Sequence, residues 1–442
     1  MFTVMTGRSE GCCDGIQRRS FVNAGFLGVA GLSMPQMLRV RAAAAAEGKP
    51  VYSTSVIFIE LQGGPSQHET YDPKPQAPAE YRGPFESIPT RLVGERFCEL
   101  LPQQAKIADK LAIVRSIHHQ HNRHTISRHL TQTGYVGDLS DAHANVNPSI
   151  GSIAARLRGA NAAGLPPYVN VLDRSFGPKG RGAYLGNAYD PFDVNDPRKL
   201  DQIKHLSPAE GLTTGRLMDS RSLLAKLDLT RRLLDRDGVA DAMDKFSHRA
   251  YEMVTGNRAR NAFDLSQEDP HVRDAYGSDS IAQAMLLARR LVEAGVTFVT
   301  VNIQGWDDHD KIAERIGRRA PRYDHAMATL VSDIYARGLD RDVLVVAMGE
   351  FGRTPRINKK GGRDHWGPLN SAAFSGGGLR VGQIVGASDQ KGQAPTRNPY
   401  RPENVLAMVY RHLGIDPGLT FNDYTGRPVH ILPRRGLIGE LI

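Results

Sequence analysis

The chain has 442 residues, 40% hydrophobic and 23% charged, a length that supports a large single core without disulfide or structural-metal staples. Its 45 glycines and 26 prolines fall well short of collagen-like or low-complexity sequence, which excludes a fibrous or mostly disordered protein. The formal charge of +9 is scattered in pairs such as Arg231–Arg232, Arg289–Arg290 and Lys359–Lys360, with acids nearby and no interleaved aromatics, which argues against nucleic-acid binding.

At the N-terminus, Gln17-Arg18-Arg19-Ser20-Phe21 opens a weakly apolar, glycine-rich stretch that ends at Arg39 and the alanines 42–46. Twin arginines, a phenylalanine two positions on and a small-residue end predict a twin-arginine export signal over residues 1–46, with a periplasmic or otherwise exported product. Removing its five arginines and two acids takes the charge from +9 to +6. Pro35 and the interior glycines weaken a spanning helix, and no later stretch approaches the roughly 18 uninterrupted apolar residues one needs, so no stable membrane anchor is expected after cleavage. Cys12 and Cys13 fall in this leader and Cys98 stands alone, so neither a disulfide framework nor a cysteine zinc site is available.

From residue 53 short apolar runs alternate with helical periods, the pattern of a layered α/β domain with a largely parallel sheet. The first predicted strand, 53–61, is continuously apolar over Val56-Ile57-Phe58-Ile59, as a strand covered on both faces should be, and ends in Gly63-Gly64-Pro65. Its turn carries Ser66 and His68, candidate substrate contacts. Next comes a run with five histidines between His118 and His129, leading into a predicted helix over 125–133. Such a run is read either as metal affinity or as an anion site at the start of a helix, with Arg123 and Arg128 close by and Arg353 available from elsewhere in the chain. His118 and His124 are the members favoured for function.

A strand is predicted at 168–172, followed by a predominantly helical insertion over about 185–275, with Leu223, Leu227 and Leu234, then Met243, Phe246, Ala250 and Met253, at helical spacing. Helices before 296 and 342 precede strands at 296–303 and 342–348, and a last strand is predicted at 372–375. Ligands of such sheets bind beyond the carboxyl ends of the strands. There stand Gln304-Gly305-Trp306-Asp307-Asp308-His309 and Gly349-Glu350-Phe351-Gly352-Arg353, with Gly362-Arg363-Asp364-His365-Trp366 close behind. Asp307, His309, Glu350 and His365 are the nitrogen and oxygen donors that bind a divalent metal. Zinc is the first choice, with manganese, iron or calcium as alternatives. On an extended strand end Asp307 and His309 point to one side and Asp308 away.

These motifs, together with Ile59-Glu60-Leu61-Gln62-Gly63-Gly64-Pro65-Ser66 and Thr70-Tyr71-Asp72-Pro73, resemble those of the domain of unknown function 1501 family, whose members usually carry a twin-arginine leader. The match runs over about 53–435. The family is grouped with the alkaline phosphatases and sulfatases, which implies a three-layer α/β/α fold with a mainly parallel central sheet. The resemblance also implies that Asp307, His309 and His365 correspond to the Asp, His and His of one phosphatase metal. The paired strand-one aspartates of sulfatases are absent here. The segment from His124 to Gly134 resembles the sulfatase nucleophile box with histidine in the nucleophile's place. The expectation that follows is an exported metal-dependent hydrolase of phosphate or sulfate esters, acting on an anionic ester such as one carried by a polysaccharide. In it Asp307, His309 and His365 hold a metal, with Glu350 as fourth ligand or bridge. Arg128 and Arg353 clamp the substrate's oxygens, and His124 is nucleophile or proton carrier, with Ser127 and Thr125 in reserve. The alternative is a non-catalytic metal-containing binding protein on the same fold.

Overall fold

The computed structural model describes residues 54–137, 146–173, 181–199 and 256–442. The export signal, and the helical spacing predicted from Leu223 to Met253, lie outside the described residues.

An eight-stranded sheet organises the unit formed by residues 53–442. In chain order its strands are β1 (Ser55–Leu61), β2 (Ala112–Ile117), β3 (Tyr168–Val171), β4 (Phe192–Val194), β5 (Phe298–Ile303), β6 (Val343–Met348), β7 (Asn370–Gly376) and β8 (Gln383–Val385). They lie in the order β8-β2-β7-β6-β1-β5-β3-β4, and every pairing is parallel except the two made by β7. The central strands β1, β5 and β6 are buried along their whole length, which is why they read as largely apolar runs, interrupted only by Ser55 and Glu60 in β1 and by Thr300 and Asn302 in β5.

Alternation along β1 divides the core between two faces. Ile57, Ile59 and Leu61 join one hydrophobic cluster with helices α3 (Ser280–Ala294) and α4 (Ile312–Ala336). Val56 and Phe58 join the other, with α2 (Ile150–Arg158) and α5 (Pro402–His412). The result is the expected three-layer arrangement. Asp279 caps α3 by accepting from the Ile281 and Ala282 amides, and Gly295 ends it in the left-handed conformation. Helix α1 (His124–Thr133) packs against α5 and ends the same way at Gly134.

Three strands differ from expectation. β2, with the sequence Ala-Ile-Val-Arg-Ser-Ile, was hidden by Arg115, which reaches out to the Tyr71 and Arg96 carbonyls and to Glu95. β4 and β8 are three-residue edge strands, too short to show a period, and β4 falls inside the segment expected to be helical. Helices do appear within that segment at Asn257–Phe263 and Pro270–Tyr276. Among the described residues no helix is long and apolar enough to cross a membrane.

Candidate metal centre

At the carboxyl end of β1, Gly63 and Gly64 turn the chain with φ of +110° and +81°. A Cβ on Gly63 would stand 2.5 Å from the Asp307 amide nitrogen, and one on Gly64 would stand 2.4 Å from the Phe351 ring. Only glycine therefore lets the β1 turn press against the loops that follow β5 and β6. A short ribbon then brings in the last segment, since His365 pairs with Arg353 in an antiparallel bridge.

This closure gathers Asp307, His309 and His365. His309 Nε2 lies 3.0 Å and His365 Nε2 3.1 Å from Asp307 Oδ1, and the two nitrogens are 2.9 Å apart. The other nitrogen of each ring is already committed: His309 Nδ1 donates to Asp364 Oδ1 at 2.8 Å and His365 Nδ1 to the Asn122 carbonyl at 2.7 Å. In the tautomer that donates from Nδ1 to these acceptors, each ring turns a lone pair at Nε2 toward Asp307. Two such lone pairs beside a carboxylate oxygen form a donor set suited to a divalent cation. A carboxylate or carbonyl on the rear nitrogen is also how metal-ligating histidines are oriented.

His124, at the first turn of α1, is the fourth member. Its Nε2 is 3.3 Å from Asp307 Oδ2 and its Nδ1 2.7 Å from Glu350 Oε1. The donor atoms of His124, Asp307 and His365 lie within 4.8 Å of one another. Burial alone would lower the His124 pKa, but hydrogen bonds to Asp307 and Glu350 outweigh it and raise it to about 9. Burial likewise would raise the Asp307 carboxyl, but hydrogen bonds from His124 and Arg353, together with the Arg353 charge, hold it well below the carboxylate range instead. The side chains of His124, Asp307 and His309 are 38%, 43% and 42% exposed, so the cluster opens to solvent.

Other predicted residues stand elsewhere. Glu350, expected as a ligand, sits behind His124, where its carboxylate accepts from the Gly63 amide at 2.9 and 3.1 Å; the β1 turn draws it inward. Asp308 turns away, as expected, to Arg319 at 2.9 Å. The two expected substrate clamps face inward because each answers buried protein acceptors. Arg353 is buried and donates to the Gly63, Gly64 and Arg363 carbonyls and to Asp307 at 2.5 Å. Arg128 is buried against Glu60, with Nε to Oε1 at 2.8 Å and Nη2 to Oε2 at 3.1 Å. Ser127 is buried and donates its hydroxyl to the His121 carbonyl at 3.0 Å. His68 is buried with Nε2 on the Lys391 carbonyl at 3.0 Å, and Ser66 is buried in the β1 turn. Burial foremost, with Arg363 and Lys74 adding to it, keeps His68 neutral. Neither Ser66 nor His68 makes a hydrogen bond to the four-residue cluster. His118 is half-buried, its pKa lowered by burial and then by Arg401.

The structure adds residues that the sequence did not single out. His119 donates from Nε2 to the Glu350 carbonyl at 2.7 Å while its Nδ1 accepts from the His121 amide, and burial lowers its pKa to about 4. Asp364 and the Asn122 carbonyl hold the rings of His309 and His365 from behind. Glu60, Asp173, Asn302 and Gln132 surround Arg128.

A family model described as "Protein of unknown function (DUF1501)" matches residues 53–442. No curated protein matches the chain in sequence. Among crystal structures it is similar to the PsFucS1 sulfatase from Pseudoalteromonas sp., at 12% identity over 89% of this chain and 74% of that one, with a TM-score of 0.38. It is also similar to the alkaline phosphatase from the Antarctic bacterium TAB5, at 12% identity over 82% and 99%, TM-score 0.36. A third is the lipoteichoic acid synthase LtaP from Listeria monocytogenes, at 9% identity over 84% and 75%, TM-score 0.34.

Proposed function

The chain belongs to the DUF1501 family of proteins of unknown function, and we propose that it is an exported, metal-dependent hydrolase of phosphate or sulfate esters. The observation that carries this reading is the convergence of Asp307 Oδ1, His309 Nε2 and His365 Nε2 within 2.9–3.1 Å in a cluster open to solvent. Three protein donors leave a coordination position free, the arrangement of catalytic zinc sites. A divalent ion held there would supply Lewis-acid charge that acidifies water and offsets the charge of a transferring phosphoryl or sulfuryl group.

The chain's own residues do the rest. His124 holds a proton at Nδ1 against Glu350 and directs Nε2 at the open side, which suits it to carry a proton to a leaving group or from a water. His119 and the Gly63 amide fix Glu350, and Arg353 fixes Asp307 against the β1 turn. Helix α1 starts at His124 with no side-chain cap, so its first amides and dipole face the cluster and favour an anionic group.

A second reading is supported by the same ring. If His124 Nε2 binds the ion, four protein donors close the shell, as in non-catalytic sites, and the protein is a metal-containing binding protein. Replacing His124 separates the two. The leaderless, untagged protein is analysed by elemental mass spectrometry for wild type, His124→Ala and the Asp307→Ala/His365→Ala double variant, with turnover of aryl phosphates and sulfates measured after the metal is restored. The hydrolase reading expects the ion retained but turnover lost in His124→Ala, and the ion lost in the double variant. Loss of the ion in His124→Ala, with no turnover in wild type, establishes the binding reading. A folded wild type that takes up no zinc, manganese or iron overturns both.

A further inference from the structure

We infer that the guanidinium of Arg128 is the resident cation of a carboxylate pocket behind the metal cluster, and that the centre therefore takes one divalent ion and not two. The inference rests on the metal reading above.

The pocket lies at the carboxyl ends of β1, β3 and β5. Glu60 and Asn302 are register partners on neighbouring strands and so share a sheet face, the one on which Val56 and Phe58 meet α5. Asp173 follows β3. Glu60 is 1% and Asp173 7% exposed, and carboxylates this deep must be paired or coordinated. Burial pushes the Glu60 carboxyl above its usual range, only partly opposed by Arg128. The oxygens of Glu60, Asp173 and Asn302 form a hard-donor set of the kind that binds a divalent ion.

The place among them is filled. Arg128 sets Nε 2.8 Å from Glu60 Oε1, and its Nη2 lies 3.1 Å from Glu60 Oε2, 3.5 Å from Asp173 Oδ2 and 3.3 Å from Asn302 Oδ1. A guanidinium keeps its charge at every relevant pH and matches a carboxylate with two parallel hydrogen bonds. Arg128 also stands four residues after His124, hence on the same face of α1. Gln132, four residues further, donates to Glu60 Oε2 at 2.9 Å. A second ion in this pocket would have to displace the guanidinium or sit against it, so Arg128 acts as a positioning residue that sets the count of ions.

The test is a Mn²⁺ titration by calorimetry, with elemental mass spectrometry, on the leaderless protein. Wild type is expected to saturate at one ion per chain and Asp307→Ala/His365→Ala at none. Arg128→Ala should take up a second ion, and the triple variant should keep one. Arg128→Lys retains a cation in the pocket and should remain at one. Two ions in wild type, one of them surviving in Asp307→Ala/His365→Ala, would overturn the inference, as would a folded Arg128→Ala that gains none. No ion in wild type but one in the triple variant would sink the metal reading while supporting the role of Arg128. Should Arg128→Ala fail to fold, the wild-type and Arg128→Lys counts decide: one ion in each supports the inference and two in wild type overturns it.

Discussion

His309 and His365 face each other through Nε2 atoms 2.9 Å apart, each ring pinned from behind by an acceptor on its Nδ1. The Asp364 carboxylate behind His309 is the more testable of the two pins, because the other is a backbone carbonyl. Asp364→Ala leaves every ligand in place but frees the ring and its tautomer, so zinc affinity is expected to fall about 10–100-fold. Competition against a chromophoric chelator measures this. An affinity equal to wild type would remove Asp364 from the centre.

Metal uptake should depend on pH through His124. With its pKa raised to about 9 in the metal-free protein, the ring is charged at neutral pH and an arriving cation must expel that proton. Calorimetry in buffers of different ionisation enthalpy should show release of about one proton per ion near pH 7, fading above pH 9. The metal-free fold has the opposite preference. A folded pKa above the unfolded one means that the His124 contribution to stability is complete below about 6.5 and is lost as pH rises through about 9. Proton release unchanged in His124→Ala would place the titrating group elsewhere.

Ser127 is a poor nucleophile in this setting, buried and with its hydroxyl donated to the His121 carbonyl. Ser127→Ala should cost about 1 kcal/mol of stability, the worth of one neutral hydrogen bond, and leave metal content intact. Urea unfolding measures the first and elemental analysis the second. If wild type turns over an aryl ester and Ser127→Ala loses that activity by two orders of magnitude or more while keeping its metal, the serine regains the nucleophile's role.

His412 controls acid stability at the opposite end of the sheet. Its Nε2 lies 3.1 Å from the Ser55 carbonyl and 3.2 Å from that of Asp342, tying α5 to the starts of β1 and β6. Burial lowers its pKa to about 4, only partly offset by those carbonyls. The unfolded ring binds a proton below about 6.5, so the stability it confers is present above that pH and declines as pH falls toward 4. His412→Gln keeps a donor without the titration. The urea midpoint of wild type should therefore drop more than that of the variant between pH 7 and 4.5, and equal drops would refute the assignment.

The layered fold was legible because β1, β5 and β6 are covered on both faces and are therefore mostly apolar. Arg115 concealed β2, since a long side chain can leave a strand and still lie in a buried row. At the centre, Asp307, His309 and His365 were legible from their places after strands or in the segment behind them. Asp364 and Asn122 were not, because an acceptor behind a ring is defined by tertiary contact alone. The place of Glu350 behind His124 was not readable either, because it is set by how tightly the Gly63 turn packs. The pocket around Arg128 did leave a trace, in a glutamate within an apolar strand and in His124, Arg128 and Gln132 at successive four-residue steps.

That stepped row makes α1 intolerant of changes in length. One residue added between His124 and Arg128 would turn everything on one side of it by about 100° relative to the other, so that the histidine or the arginine would lose its carboxylates. Length variation among related sequences is thus expected to spare 124–132, and a gap there would mark a relative with a differently assembled centre.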